Sequence, residues 1–228
     1  MLRRILLVAV IAGAAAGLVA TVLQGAKLWP LIAAAEQFEQ PAVHAHHHGA
    51  DDAAHVHDDE WEPQDGTERM AFTLLFNVLA GVGFALLLNG ALVLRAAANA
   101  GALDAKIGVA WGLAGFACFA LAPALGLPPE LPGMAAAELL DRQVWWLATA
   151  AASAAGIALI AFGRPLPVKV LGVIVLAAPH VIGAPRPAAV GTVPAELAAE
   201  FVAASLVAAA VFWIVLGGLS GWLHRRLA

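Results

Sequence analysis

Apolar residues in this chain are gathered into long runs bounded by charge, Pro and Gly. Six runs stand out: about Ile5 to Leu23, Met70 to Leu94, Ile107 to Leu125, Val144 to Phe162, Val168 to Gly183 and Glu200 to Leu223. Crossing the hydrocarbon of a bilayer takes about 20 apolar residues at 1.5 Å rise each. Five runs approach that length. The fifth, about 16 residues long, predicts a short tilted helix or a re-entrant element. Long apolar runs in a bilayer must close their backbone hydrogen bonds as helices. The pattern therefore predicts an all-α, polytopic bundle of about six transmembrane helices, or five if the short segment does not span. It forms a single transmembrane domain over residues 1–228, with a polar loop over 36–68 inside it.

Composition agrees with that pattern. Of 228 residues, 62% are hydrophobic and 12% charged, and the mean hydropathy is +0.85. A soluble domain of this size cannot hide so much apolar surface, and a disordered chain does not carry it. The net charge of −4 gives no footing for nucleic-acid binding. The single cysteine, Cys118, excludes a disulfide framework and a cysteine metal site. Arg3 and Arg4 ahead of an apolar run look like the start of a signal peptide, but the run exceeds the usual ~7–15 residues, so it is read as an uncleaved first helix.

Charge then orients the spans. Six crossings with both termini in the cytoplasm place Arg3, Arg4, Arg95, Lys106, Arg164, Lys169, Arg225 and Arg226 inside. Lys27, Arg69, Arg142 and Arg186 fall outside, as the positive-inside rule asks. Every acid except Asp104 also falls outside. Five crossings would expose one of the basic ends. The expected location is a bacterial inner (cell) membrane, multi-pass. Trp29, Trp111, Trp145, Trp146 and Trp222 sit near span ends, where indole favours the interface, while Trp213 is expected to pack between helices. The spacings Gly13/Gly17 and Gly217/Gly221 put two Gly on one helical face and predict close helix packing. No internal repeat is evident.

The outer segment between the first two spans, about 45 residues long, carries the least random feature of the chain. Residues 44–60 hold six His and five acids: His44, His46, His47, His48, His55 and His57, with Asp51, Asp52, Asp58, Asp59 and Glu60. Imidazole is a good ligand for Co, Ni, Cu and Zn, and carboxylates add oxygen donors. Several overlapping ligand sets suit capture and hand-off better than tight storage. The order of affinities favours Cu²⁺ over Ni²⁺ and Co²⁺ at almost any such site, so the loop does not choose the metal. Neutral imidazole is the ligand, so metal is expected to leave below about pH 6.

Within the spans, Gln24, Asn77 and Asn89 read as polar groups turned to the bundle interior, the two Asn as inter-helix hydrogen-bonding groups. Pro179 precedes His180 near the outer end of the fifth run. A proline there frees backbone carbonyls beside an imidazole, a pair able to receive a divalent ion. His224, next to Arg225 and Arg226, reads as a cytoplasmic anchor. No P-loop, His-Glu-x-x-His or Gly-x-Ser-x-Gly motif is present, and no intramembrane acid pair stands out.

These residues together resemble the proposed cobalt transporter subunit CbtA family over essentially the whole chain. The resemblance rests on Arg3-Arg4 to Gln24, Pro30-Leu31-Ile32 with Glu36-Gln37-Phe38-Glu39, Gly126 to Gly133, Asp141 to Trp146, and Ala178 to Pro185. It implies a cobalt permease linked to cobalamin metabolism and a small single-span, His-rich partner, CbtB. The family is usually described with five spans.

In the six-span topology these motifs cluster at the outer mouth, where Glu130, in a Pro-stiffened turn, is a candidate carboxylate ligand. The expected metal ligands are therefore His44, His46, His47, His48, His55, His57, Asp51, Asp58, His180 and Glu130. The expected cargo is Co²⁺ (or Ni²⁺/Zn²⁺), with no prosthetic group and no nucleic-acid partner. The alternative is a non-conducting metal-binding or sensing accessory subunit. A catalytic site on so loose a loop ranks last, so no enzyme is expected.

Overall fold

The computed structural model describes residues 2–38, 66–98, 101–188 and 191–227. Among them are six helical rods and no strand. They are α1 (Leu2–Glu36), α2 (Thr67–Ala97), α3 (Ala105–Ala124), α4 (Leu139–Phe162), α5 (Leu166–Ile182) and α6 (Ala195–Arg226). Five are long and apolar enough to cross a membrane. α5 has 17 residues and spans only about 25 Å. Two rods contain one π-helical turn each, α1 at Gln24–Leu28 and α3 at Ala117–Leu121.

The rods run past the apolar runs at every N-terminal end and at half of the C-terminal ends. α1 is the extreme case. It continues through Lys27 and Pro30 to Glu36, which shortens the expected 45-residue outer segment. Pro30 sits in the first turn after the π segment, where a missing N–H is tolerated. The extension is held by packing: Leu28, Leu31, Ile32 and Ala35 close on Leu131 and Phe201. Asp104 caps α3 by accepting from the Ile107 amide at 2.8 Å.

Three antiparallel pairs build the bundle, and glycine makes each of them tight. In α1–α2, a Cβ on Gly13 would sit 2.5 Å from Val82 Cα. In α3–α6, a Cβ on Gly217 would sit 2.2 Å from the Gly108 carbonyl. In α4–α5, Gly156 and Gly172 meet backbone to backbone. The first two pairs bear out the small-residue spacing at Gly13/Gly17 and Gly217/Gly221. α1 also packs along α6, and the four helices α1, α2, α3 and α6 share one core. At its centre Trp213, buried as expected, lies between Phe84 and Phe119, with ring centroids 5.1 and 5.6 Å away.

α5 stands apart and packs broadly against α4 alone among the described elements. Its register is antiparallel: Gly156 faces Gly172 at one end, and Trp145 faces His180 at the other. So α5 runs antiparallel to α4 instead of turning back. The described helices make six passes along the bundle, and the first turn of α1 and the last turn of α6 lie at one end. Arg4 donates to the His224 carbonyl there, at 2.7 Å.

That end is basic, carrying Arg3, Arg4, Arg95, Lys106, Arg164, Lys169, Arg225 and Arg226. The opposite end carries Glu36, Glu68, Glu130, Glu138, Asp141, Glu196 and Glu200. Between them Val10, Ile11, Leu18, Leu79, Leu87, Val173, Ile174 and Val207 are exposed on the sides of the rods, an apolar girdle suited to lipid.

Buried Asn77, Asn89, Ser220 and His224 tie helices together. Asn77 donates to Gln24 Oε1 at 2.8 Å and to Thr21 Oγ1 at 3.0 Å, joining α2 to the π turn of α1. Asn89 donates to Ser220 Oγ at 3.2 Å, and its Oδ1 lies 2.8 Å from His224 Nε2. His224 is therefore not a surface anchor. The residue is 1% exposed and its ring belongs to the α2–α6 interface, because the helix turns it away from its charged sequence neighbours.

Candidate metal site

Eight of the expected ligands, His44, His46, His47, His48, His55, His57, Asp51 and Asp58, lie outside the described residues. His180 and Glu130 lie within them, both toward the acidic end.

Glu130 stands in the turn between α3 and α4. Its carboxylate is paired with the Arg142 guanidinium at 2.5 Å, and both side chains are partly buried. Such a pair, with limited access to water, is stronger than a fully exposed one. Both residues line a cavity of about 650 Å³ bounded also by Phe119, Pro123, Trp146 and Ser205. The hydroxyl of Ser205 is buried and has no partner among the described residues.

His180 lies on the other side of α4. It occupies the last turn of α5, one residue after Pro179 and three before Gly183, whose positive φ of 92° ends the helix. Pro179 has no N–H, so the carbonyl of Val175 lacks its helical donor. The His180 ring meets the Trp145 ring edge-on at 6.0 Å, and its Nε2 is buried without a hydrogen-bond partner among the described residues. An apolar groove of about 640 Å³ runs beside it between α4 and α5, lined by Trp145, Val175 and Pro179, with Asp141 at its acidic end.

The two sequence candidates are thus not brought together, since opposite faces of α4 line their cavities. Nor do three His, Cys, Asp or Glu converge anywhere among the described residues. Three polar groups not singled out as site candidates follow one another along α4: Trp145 Nε1, on the ring that meets His180, then Thr149 Oγ1 and Ser153 Oγ one and two turns further on. All are buried and have no hydrogen-bond partner among the described residues. Their signal in the sequence is weak, because Ser and Thr are common in membrane helices and usually bond their own backbone.

The sequence profile of a family described as "Probable cobalt transporter subunit (CbtA)" matches residues 2–225. The chain belongs to the CbtA family. This CbtA protein is accordingly a membrane transporter subunit, with the helical bundle expected of one. No curated protein and no solved structure matches it. In this CbtA chain the segment from Ala178 to Pro185, which carries much of the resemblance, is the stretch where α5 ends beside His180.

Proposed function

We propose that this chain is the membrane-embedded subunit of a Co²⁺ uptake system serving cobalamin-dependent metabolism. It sits in a bacterial inner membrane with its basic end and both termini in the cytoplasm. The family match over residues 2–225 carries this reading. The separation of basic and acidic ends supports the orientation, because arginine and lysine are retained on the cytoplasmic side.

In this reading the His/Asp loop gathers the ion outside. Its ligands are His44, His46, His47, His48, His55 and His57 with Asp51 and Asp58, exchanging the metal among overlapping sets. Glu130 receives it at one cavity only by leaving Arg142. His180 receives it at the groove beside α5. A small single-span His-rich subunit is the proposed partner, and Ni²⁺ or Zn²⁺ are the competing cargoes.

One observation favours a second reading. With no cluster of three ligands among the described residues, the chain could serve as a non-conducting metal-binding accessory. Radiocobalt accumulation separates the two. Cells expressing this chain alone accumulate Co²⁺ if it conducts. Accumulation only when a second subunit is co-expressed supports the accessory reading, and none in either case overturns both.

A further inference from the structure

We infer that the interface between α4 and α5 is an intramembrane receiving site for a partly hydrated divalent cation. Its first ligand is His180, and Thr149, Ser153 and Trp145 hold the ion's remaining water. The inference rests on the transporter reading and names where inside the bundle the ion is met.

Trp145, Thr149, Ser153 and Gly156 follow one another at i, i+4, i+8 and i+11, one face of α4. The contacts of Gly156 with Gly172 and of Trp145 with His180 fix how that face meets α5. By that register Thr149 stands between the levels of Leu176 and Pro179, and Ser153 near the level of Val175. Thr149 is 0% and Ser153 1% exposed. Neither hydroxyl has a hydrogen-bond partner among the described residues, nor do Trp145 Nε1 and His180 Nε2.

Four unsatisfied polar atoms along one helix pair are costly in an apolar surround, since each has given up water for nothing. Helix gluing does not explain them, because glue would pair them with each other or with a neighbour, as Asn77 and Asn89 are paired. What they have in common is fitness for water and a cation. An imidazole nitrogen, two hydroxyl oxygens and the carbonyl of Val175, which Pro179 deprives of its i+4 donor, are acceptors. The indole N–H is a donor for a water held by the ion. One nitrogen among neutral oxygens makes a weak site, which is what release requires.

Each end has its own character. Toward the acidic end, Asp141 lies one turn before Trp145 and borders the same groove. No ion-pair partner for it occurs among the described residues, so it is placed to concentrate cations. Toward the basic end, a Cβ on Gly156 would stand 2.7 Å from the Gly172 carbonyl and one on Gly172 would stand 2.8 Å from the Gly156 carbonyl. The backbones touch there, and the polar line stops. The site is therefore closed on that side, and passage requires α5 to move against α4. Because α5 has no other broad packing partner among the described elements, that motion leaves the four-helix core intact.

The test uses full-length protein in proteoliposomes with Cys118→Ser, so that an introduced thiol reports alone. Ser153→Cys should react with a charged, water-soluble methanethiosulfonate, and Co²⁺ should slow the reaction. His180→Ala should abolish that protection. Ala152→Cys, on the groove, should show no Co²⁺ effect. No reaction at Ser153→Cys, or equal rates with and without Co²⁺, overturns the site. In cells that accumulate Co²⁺, Thr149→Val with Ser153→Ala should lower the uptake rate about tenfold. Unchanged uptake there overturns this inference and leaves the transporter reading standing. Absence of uptake by the wild-type chain, with Co²⁺ protection intact, overturns the transporter reading and leaves the site.

Discussion

The guanidinium of Arg4 donates to the backbone carbonyl of His224 at 2.7 Å, joining the first turn of α1 to the last turn of α6. A chain whose two ends meet at one end of a bundle has crossed it an even number of times. The short α5 therefore returns the chain to the acidic end, and the proposed orientation puts the basic end in the cytoplasm. Fluorescent-protein fusions at either terminus should both be fluorescent in the cytoplasm. One dark and one bright fusion would mean that α5 does not cross.

The same end holds a hydrogen-bonded group that stabilises the α2–α6 contact. Asn89→Ala removes the partner of both Ser220 Oγ and His224 Nε2. The expected loss is about 1 kcal/mol per hydrogen bond, toward the upper end of what membrane proteins show. Unfolding in mixed micelles should register it. Asn77→Ala, which unties α2 from Gln24 and Thr21, should cost a similar amount.

Glycine substitutions should divide sharply by position. Gly217→Ala places a methyl 2.2 Å from the Gly108 carbonyl, so α3 and α6 must separate and folded yield should fall. At Gly90 a methyl would meet nothing within 4 Å. Gly90→Ala should be neutral or gain up to about 1 kcal/mol from helix propensity. Equal behaviour of the two variants in a thermal-stability assay would contradict the packing described here.

Metal capture by the loop should depend on pH in one direction only. Neutral imidazole binds the ion, and protonation competes as pH falls through the reference value of about 6.5. A peptide of residues 44–60 should bind Co²⁺ at pH 7.5 and release most of it by about pH 5.5. In the whole protein, deleting residues 44–57 should raise the Co²⁺ concentration for half-maximal uptake while sparing transport at high metal. Calorimetry on the peptide and uptake curves in cells check the two halves of the claim.

Much of the bundle was legible because bilayer thickness imposes a length on every apolar run. Five of the six passes were plain from that rule, and the small-residue spacing at Gly13/Gly17 and Gly217/Gly221 marked two real contacts. Partners were not legible. Nothing local to Gly217 names Gly108, and nothing near Glu130 says that Arg142 holds it. His224 misled for a similar reason: its sequence neighbours are charged, but a helix turns successive residues by about 100°, and its own direction is inward. The extension of α1 to Glu36 was hidden by Lys27 and Pro30, which resemble an ending until the packing of Leu31 and Ile32 is seen. Thr149 and Ser153 became visible only once their lack of partners could be counted.

The account turns on whether this subunit itself carries the ion. Purified full-length protein reconstituted into liposomes holding a cobalt-quenched dye puts that question most directly. External Co²⁺ should quench the dye faster than in protein-free liposomes, and His180→Ala should slow the quenching. Quenching no faster than in protein-free liposomes, with the protein folded and inserted, would contradict the account.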